Sequence, residues 1–83
     1  MNKLPLYQQV ALRRDIEKHG LKVGDVATLV DYVPHSAGDR EGCVLEVFNA
    51  LGESIAVVVV ETFDIEPLTA DEILTVRPLA RAS

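Results

Sequence analysis

A mainly β fold, a small five-stranded SH3-like barrel with room for a short helical turn, is what three features of the sequence predict. Ser54 to Thr62 is an almost unbroken apolar, β-branched run. Cys43 to Phe48 precedes it, separated by Asn49-Ala50-Leu51-Gly52, which has the composition of a hairpin turn. Upstream, the glycine-punctuated stretch Gly20 to Asp25 leads into Val26 to Val33, a third β-rich run that ends at Pro34. Several short strands with no sustained helical period favour a bent or closed sheet, which hides edges that would otherwise pair promiscuously.

The remaining elements follow from local pattern. Leu4-Pro5-Leu6 opens the domain. Tyr7 to Ile16 places Val10, Leu12 and Ile16 among polar Gln9, Arg13 and Asp15, which favours a strand, with a short helix as competitor because Gln8, Gln9, Ala11 and Leu12 are good helix formers. Gly24 and Gly52 stand where the chain must reverse and are expected at positive φ. Phe63 to Ala70 reads as irregular around Pro67, and Leu74 to Arg77 as a last short strand stopped by Pro78. At 83 residues there is room for one core, so residues 1–83 form a single domain, with residues 4–78 as its body and 79–83 as a fraying tail.

Composition narrows the function classes. A content of 48% hydrophobic and 25% charged residues is that of a folded domain. The net charge of −5, with Lys3, Arg13, Arg14, Lys18, Lys22, Arg40, Arg77 and Arg81 scattered along the chain, disfavours nucleic acid, which needs clustered cations. The longest apolar run, Ile55 to Val60, is far short of the roughly 20 residues of a membrane-spanning helix. A single cysteine, Cys43, cannot form an intrachain disulfide, and no signal-peptide pattern follows Lys3, so a cytoplasmic location is expected.

The stretches Leu6 to Asp15, Gly20-Leu21-Lys22-Val23-Gly24-Asp25-Val26-Ala27-Thr28-Leu29-Val30, and Leu45-Glu46-Val47 leading through Asn49 and Gly52 to Ser54-Ile55-Ala56 carry a resemblance. Over roughly residues 4–77 the chain resembles a family of small bacterial proteins catalogued as domain of unknown function 4926. The resemblance implies an SH3-like barrel and no established activity. The chain departs from that family at Ala27, where a glycine is usual, and in Glu61 to Glu72, which reads as a local elaboration.

No constellation rises to a catalytic, metal or cofactor signature. His35, Ser36 and Asp39 share the loop Pro34 to Gly42, but a hydrolytic triad also requires a buried orienting acid and an oxyanion hole. His35, Asp39 and Glu41 lack tight metal-ligand spacing, and His19 lies in another turn. Cys43 alternates with Leu45 and Val47 on one strand face, as a packed core thiol would. The glycines form no phosphate-binding series. With no Trp and only Tyr7, Tyr32, Phe48 and Phe63, the chain lacks the aromatic lining of a proline-peptide groove. A small-ligand or enzymatic use of the 34–42 loop is the alternative to a non-enzymatic interaction module.

The out-of-pattern feature is a strand with two apolar faces. If Ile55, Val57 and Val59 point inward, then Ala56, Val58 and Val60 point outward, beside Val44 and Phe48 of the preceding strand. Val44, Phe48, Ala56, Val58 and Val60 are therefore the candidate interface, with Glu53, Glu61 and Asp64 as flanking charges. Either Leu4-Pro5-Leu6 or Phe63 to Leu68 covers this face from within, or a protein partner does, and a second copy of the chain is the expected partner.

Overall fold

The computed structural model describes residues 3–34 and 41–79. Five strands form one antiparallel sheet: β1 (Gln9–Leu12), β2 (Val26–Val33), β3 (Gly42–Phe48), β4 (Ser54–Glu61) and β5 (Ile65–Pro67), in the order β4-β3-β2-β1-β5. Short 3-10 turns at Glu17–His19 and Thr62–Asp64 are the helical content. The first four strands form a meander, and the fifth returns to pair with the first, through Val10 opposite Pro67 and Leu12 opposite Ile65.

This connectivity forces the sheet to curl. The outer edges of a flat five-stranded sheet would lie about 19 Å apart, at ~4.8 Å per strand spacing. Yet β4 and β5 are joined by the 3-10 turn Thr62–Asp64 alone, which spans roughly 8 Å between Glu61 and Ile65. Only a rolled sheet brings those ends within reach, and this is the barrel-like architecture expected of the sequence. Within the described residues, β4 pairs only with β3 and β5 only with β1, so an open seam runs between them.

Two bulges shape the roll. On β2 the register with β3 passes from Leu29 opposite Leu45 to Asp31 opposite Val44, leaving Val30 as the extra residue. Before it, Ala27 and Leu29 face the core; after it, the inward parity passes to Tyr32, which packs against the core cluster. A bulge bends its strand and sharpens its twist, which lets β2 serve β1 with one half and β3 with the other. On the next hairpin, Val47 lies opposite Ala56 but Phe48 opposite Ser54, so Ile55 is the extra residue on β4.

The core gathers Val10 and Leu12 from β1, Ala27 and Leu29 from β2, Cys43, Leu45 and Val47 from β3, Val58 and Val60 from β4, and Ile65 from β5. Ile16 and Leu21 close one end, where the Ile16 amide donates to the Leu21 carbonyl at 2.9 Å. The β3–β4 turn holds as its composition predicts. Asn49 Oδ1 accepts from the amides of Leu51 (3.0 Å) and Glu53 (2.9 Å), and Gly52 takes φ 84°, a conformation that side chains resist. At Gly42 the constraint is space, since a Cβ there would meet the Val60 carbonyl oxygen at a tight 3.2 Å.

The last strand is not where the sequence pattern puts it. Leu74 to Arg77 has no strand assignment, and β5 is instead Ile65–Pro67. Proline is tolerated there because β5 is an edge strand, whose outward amide has no ladder bond to lose. Residues 61–67 of the stretch Glu61 to Glu72 thus supply the seam turn and the fifth strand.

Asp64 fastens the seam. Its side chain is 1% exposed, its Oδ1 accepts from Arg14 Nε at 2.6 Å and its Oδ2 from Arg14 Nη2 at 3.0 Å. Oδ2 also accepts from the Glu61 amide at 3.2 Å, while the Glu61 side chain caps the Asp64 amide, a reciprocal capping box on a single 3-10 turn. The Asp64 carbonyl takes the Arg13 amide at 2.7 Å, tying the turn to the end of β1 by backbone as well. Asp64→Ala is therefore expected to destabilise the domain by about 2–3 kcal/mol, the scale of a lost charge-assisted hydrogen bond. Asp64→Asn, which can still cap Glu61, should lose less, and urea melts of the two variants beside the parent check the order.

Candidate protein interface

The outer face of the β3–β4 hairpin is built by register. Residues directly opposite in an antiparallel pair share a face, and Val44 lies opposite Val59 and Glu46 opposite Val57. With Phe48 and the bulged Ile55, these side chains line the side of the sheet away from the core. Val57 is 63% exposed, Val59 53%, and Ile55 and Phe48 41% each, with all described residues in place.

The two-faced strand is real, but its faces are exchanged. Val58 and Val60, expected outside, are core residues, and Ala56 packs against them. Val44 and Phe48 lie on the outer side as expected, so the five candidate residues do not form one surface. The cause is the bulge. The turn pairs Asn49 with Glu53 and Phe48 with Ser54; continued without interruption, that register would set Val47 opposite Ile55 and Leu45 opposite Val57, placing Ile55, Val57 and Val59 inside. One extra residue at Ile55 shifts the pairing to Val47 opposite Ala56 and Leu45 opposite Val58, and every later side chain changes face. A strand that is apolar at each position from Ile55 to Val60 gives no sequence sign of that shift.

Neither internal cover reaches the centre of the exposed row. Leu4 packs against the core cluster, and the Tyr32 hydroxyl donates to its carbonyl at 2.9 Å. Phe63 remains 49% exposed.

A second feature is a cleft of about 330 Å³ lined by Lys3, Leu4, Tyr32, Glu41, Thr62, Ile65 and Pro67. Its charges satisfy one another. Lys3 Nζ pairs with Glu41 at 2.6 Å and sits 4.7 Å from the centre of the Tyr32 ring, and the hydrogen bond to Glu41 raises the lysine's pKa. His35, Ser36 and Asp39 lie outside the described residues. Among the described residues, no three His, Cys, Asp or Glu side chains converge as a metal site requires. Cys43, fully buried, has its thiol pushed up to about 11, first by burial and then by the Asp64 and Glu41 carboxylates. That is the environment of a packed thiol, not of a nucleophile.

A third feature was not anticipated. Residues 68–79 carry no strand, and Ile73 (88%) and Val76 (92%) are almost fully exposed. Arg77 anchors this segment: Nε donates to Asp25 Oδ1 at 2.8 Å, Nη2 to Asp25 Oδ2, and Nη2 also to the Gly20 carbonyl at 3.3 Å. The guanidinium holds the Asp25 carboxyl below the ordinary aspartate value, against a smaller opposing effect of burial. The chain matches no family model, and comparison with curated proteins and with solved structures finds no match.

Two measurements check these environments. Cys43 should stay unreactive toward a disulfide reagent at neutral pH and react once urea unfolds the domain; rapid labelling of the folded protein would contradict its burial. Because the folded-state pKa of Asp25 is lowered, its clamp is fully present above the ordinary carboxylate value and is lost as pH falls through the lower, folded one. Amide resonances of residues 73–79 should therefore move toward random-coil positions at the acid end of a titration, and Arg77→Ala should produce the same change at neutral pH.

Proposed function

We propose that the protein is a non-enzymatic interaction module that associates with a second copy of itself through the outer side of the β3–β4 hairpin, with Ile55, Val57, Val59 and Phe48 as the contact residues. The observation that carries this reading is the exposure of three consecutive outward-facing apolar side chains on one strand, next to an exposed phenylalanine. A row of this kind on a polar domain costs solubility unless it is covered, and such rows ordinarily mark association sites.

The chemistry of the rest of the surface agrees. Lys3, Arg14 and Arg77 are each engaged with a carboxylate, which lessens the positive surface open to a phosphate backbone in a chain already at −5. No helix among the described residues is long and apolar enough to cross a membrane. A lone, buried, protonated thiol suits the reducing cytoplasm.

Sedimentation velocity tests the proposal. The parent should sediment as more than a monomer at micromolar concentration, and Val57→Lys should shift it to monomer while leaving the monomer's fold intact, because Val57 already faces solvent. Val58→Asp serves as contrast: it places a charge in the core and should cost on the order of 4 kcal/mol, a large share of the ~5–15 kcal/mol that holds a small domain together. A parent that remains monomeric at high concentration would overturn the proposal.

A further inference from the structure

The proposed self-association leaves open how two hairpins meet, and three observations decide it. The first is area. Four apolar side chains, each about half exposed, supply on the order of a few hundred Å², below the ~800 Å² that each partner gives a stable interface. Side-chain burial alone falls short, so backbone pairing has to contribute.

The second is charge. Glu46 stands in the outer face of β3, opposite Val57 on β4 and Thr28 on β2. Face-to-face stacking would bring two Glu46 carboxylates into a desolvated layer, where like charges repel strongly. A contact made at the β4 edge leaves Glu46 one strand away and in water.

The third is the edge itself. Among the described residues β4 pairs with β3 on one side only, so alternate amides and carbonyls point outward along an eight-residue strand. Edge strands of soluble proteins are ordinarily guarded by lysine, proline or an inward charge. From Ser54 to Val60 this edge has none, and its bulge at Ile55 lies near one end.

Resting on the self-association reading, we infer that the second copy binds by antiparallel β4-to-β4 pairing across a two-fold axis at Val57, joining two five-stranded sheets into one of ten strands. An antiparallel pair is self-complementary, so the same strand serves both partners. Face continuity restricts the register, because outer residues must oppose outer residues. With Val57 opposite its own copy, Ile55 opposes Val59, so the outer pairs from Ile55 to Val59 are all apolar, and Glu61 meets Glu53 only beyond the start of the strand. Centring on Val58 instead would set Ile55 against Glu61. The pairing thus fills the unpaired backbone groups and sets the two apolar rows side by side as cross-strand neighbours.

Cysteine cross-linking separates this geometry from the alternatives. Across an antiparallel pair, Cα atoms at the axis lie about 4.5–5.5 Å apart, within disulfide reach. Stacked sheets lie about 10 Å apart, beyond it. The probe is Val57→Cys in a glutathione redox buffer, with Val23→Cys, at a similarly exposed position (59%) off the strand, as the collision control. The parent chain reports any background from buried Cys43. At micromolar protein, Val57→Cys should form the intermolecular disulfide on the order of a hundredfold faster than Val23→Cys, because pairing raises the local thiol concentration to the millimolar range. A parent that sediments as a dimer while Val57→Cys links no faster than Val23→Cys would overturn edge pairing and leave self-association standing, through stacked faces or through the exposed segment 73–79. A monomeric parent with no preferential linkage would overturn both.

Discussion

Asp64 lies buried between the end of β4 and the start of β5, gripped by a guanidinium from beyond the end of β1 and by the amide of Glu61. It occupies the point at which a five-stranded sheet must roll so that a three-residue turn can link its two edges. The roll defines an inside, where all five strands contribute to one apolar cluster, and an outside. A buried carboxylate is costly to desolvate, and here its partners arrive from both sides of the seam it closes. The bulges at Val30 and Ile55 then determine which side chains face which way on the strands being rolled.

Much of the fold was legible because its signals are local. Asn49 and Gly52 specify a turn by hydrogen bonding and by φ, and that turn forms as its residues require. Cys43, Leu45 and Val47 alternate with Val44, Glu46 and Phe48, and the alternation assigns their faces correctly. What was hidden depends on long-range geometry. Ile65-Glu66-Pro67 looks unlike a strand because proline breaks ladders, and only its position at an edge makes it acceptable. Leu74 to Arg77 has the better strand composition and no ladder to join. Composition ranks segments by how well they could pair; topology decides which is offered a neighbour.

The candidate site shows the same division. That the β3–β4 hairpin has apolar side chains on both faces follows from Ile55 to Val60 alone. Which valines face out does not, because a uniformly apolar strand has no contrast by which to read its register. The sequence pattern offers Asp64 only as a charge flanking that run. Glu61 and Asp64 form a capping box in the fold, but Glu-x-x-Asp reverses the residue types by which one is read from a sequence. Nothing local announces Arg14, fifty positions away, as the partner of Asp64.

The bulge at Ile55 also bears on how the chain reaches this state. The uninterrupted hairpin would bury Ile55, Val57 and Val59, a set no less hydrophobic than the Ala56, Val58 and Val60 of the folded domain. The collapsed chain therefore has available a competitor of similar hydrophobic content, one residue out of step, in which β4 presents its other side to the core. Hydrophobicity does not choose between them. Volume does, because the small Ala56 occupies a position that the slipped strand would fill with isoleucine, and so does the seam, since a slip moves Glu61 relative to Asp64 and Arg14. A strand that fits the core from either side is made unique by the small volume of Ala56 and by the salt-bridged turn at its end.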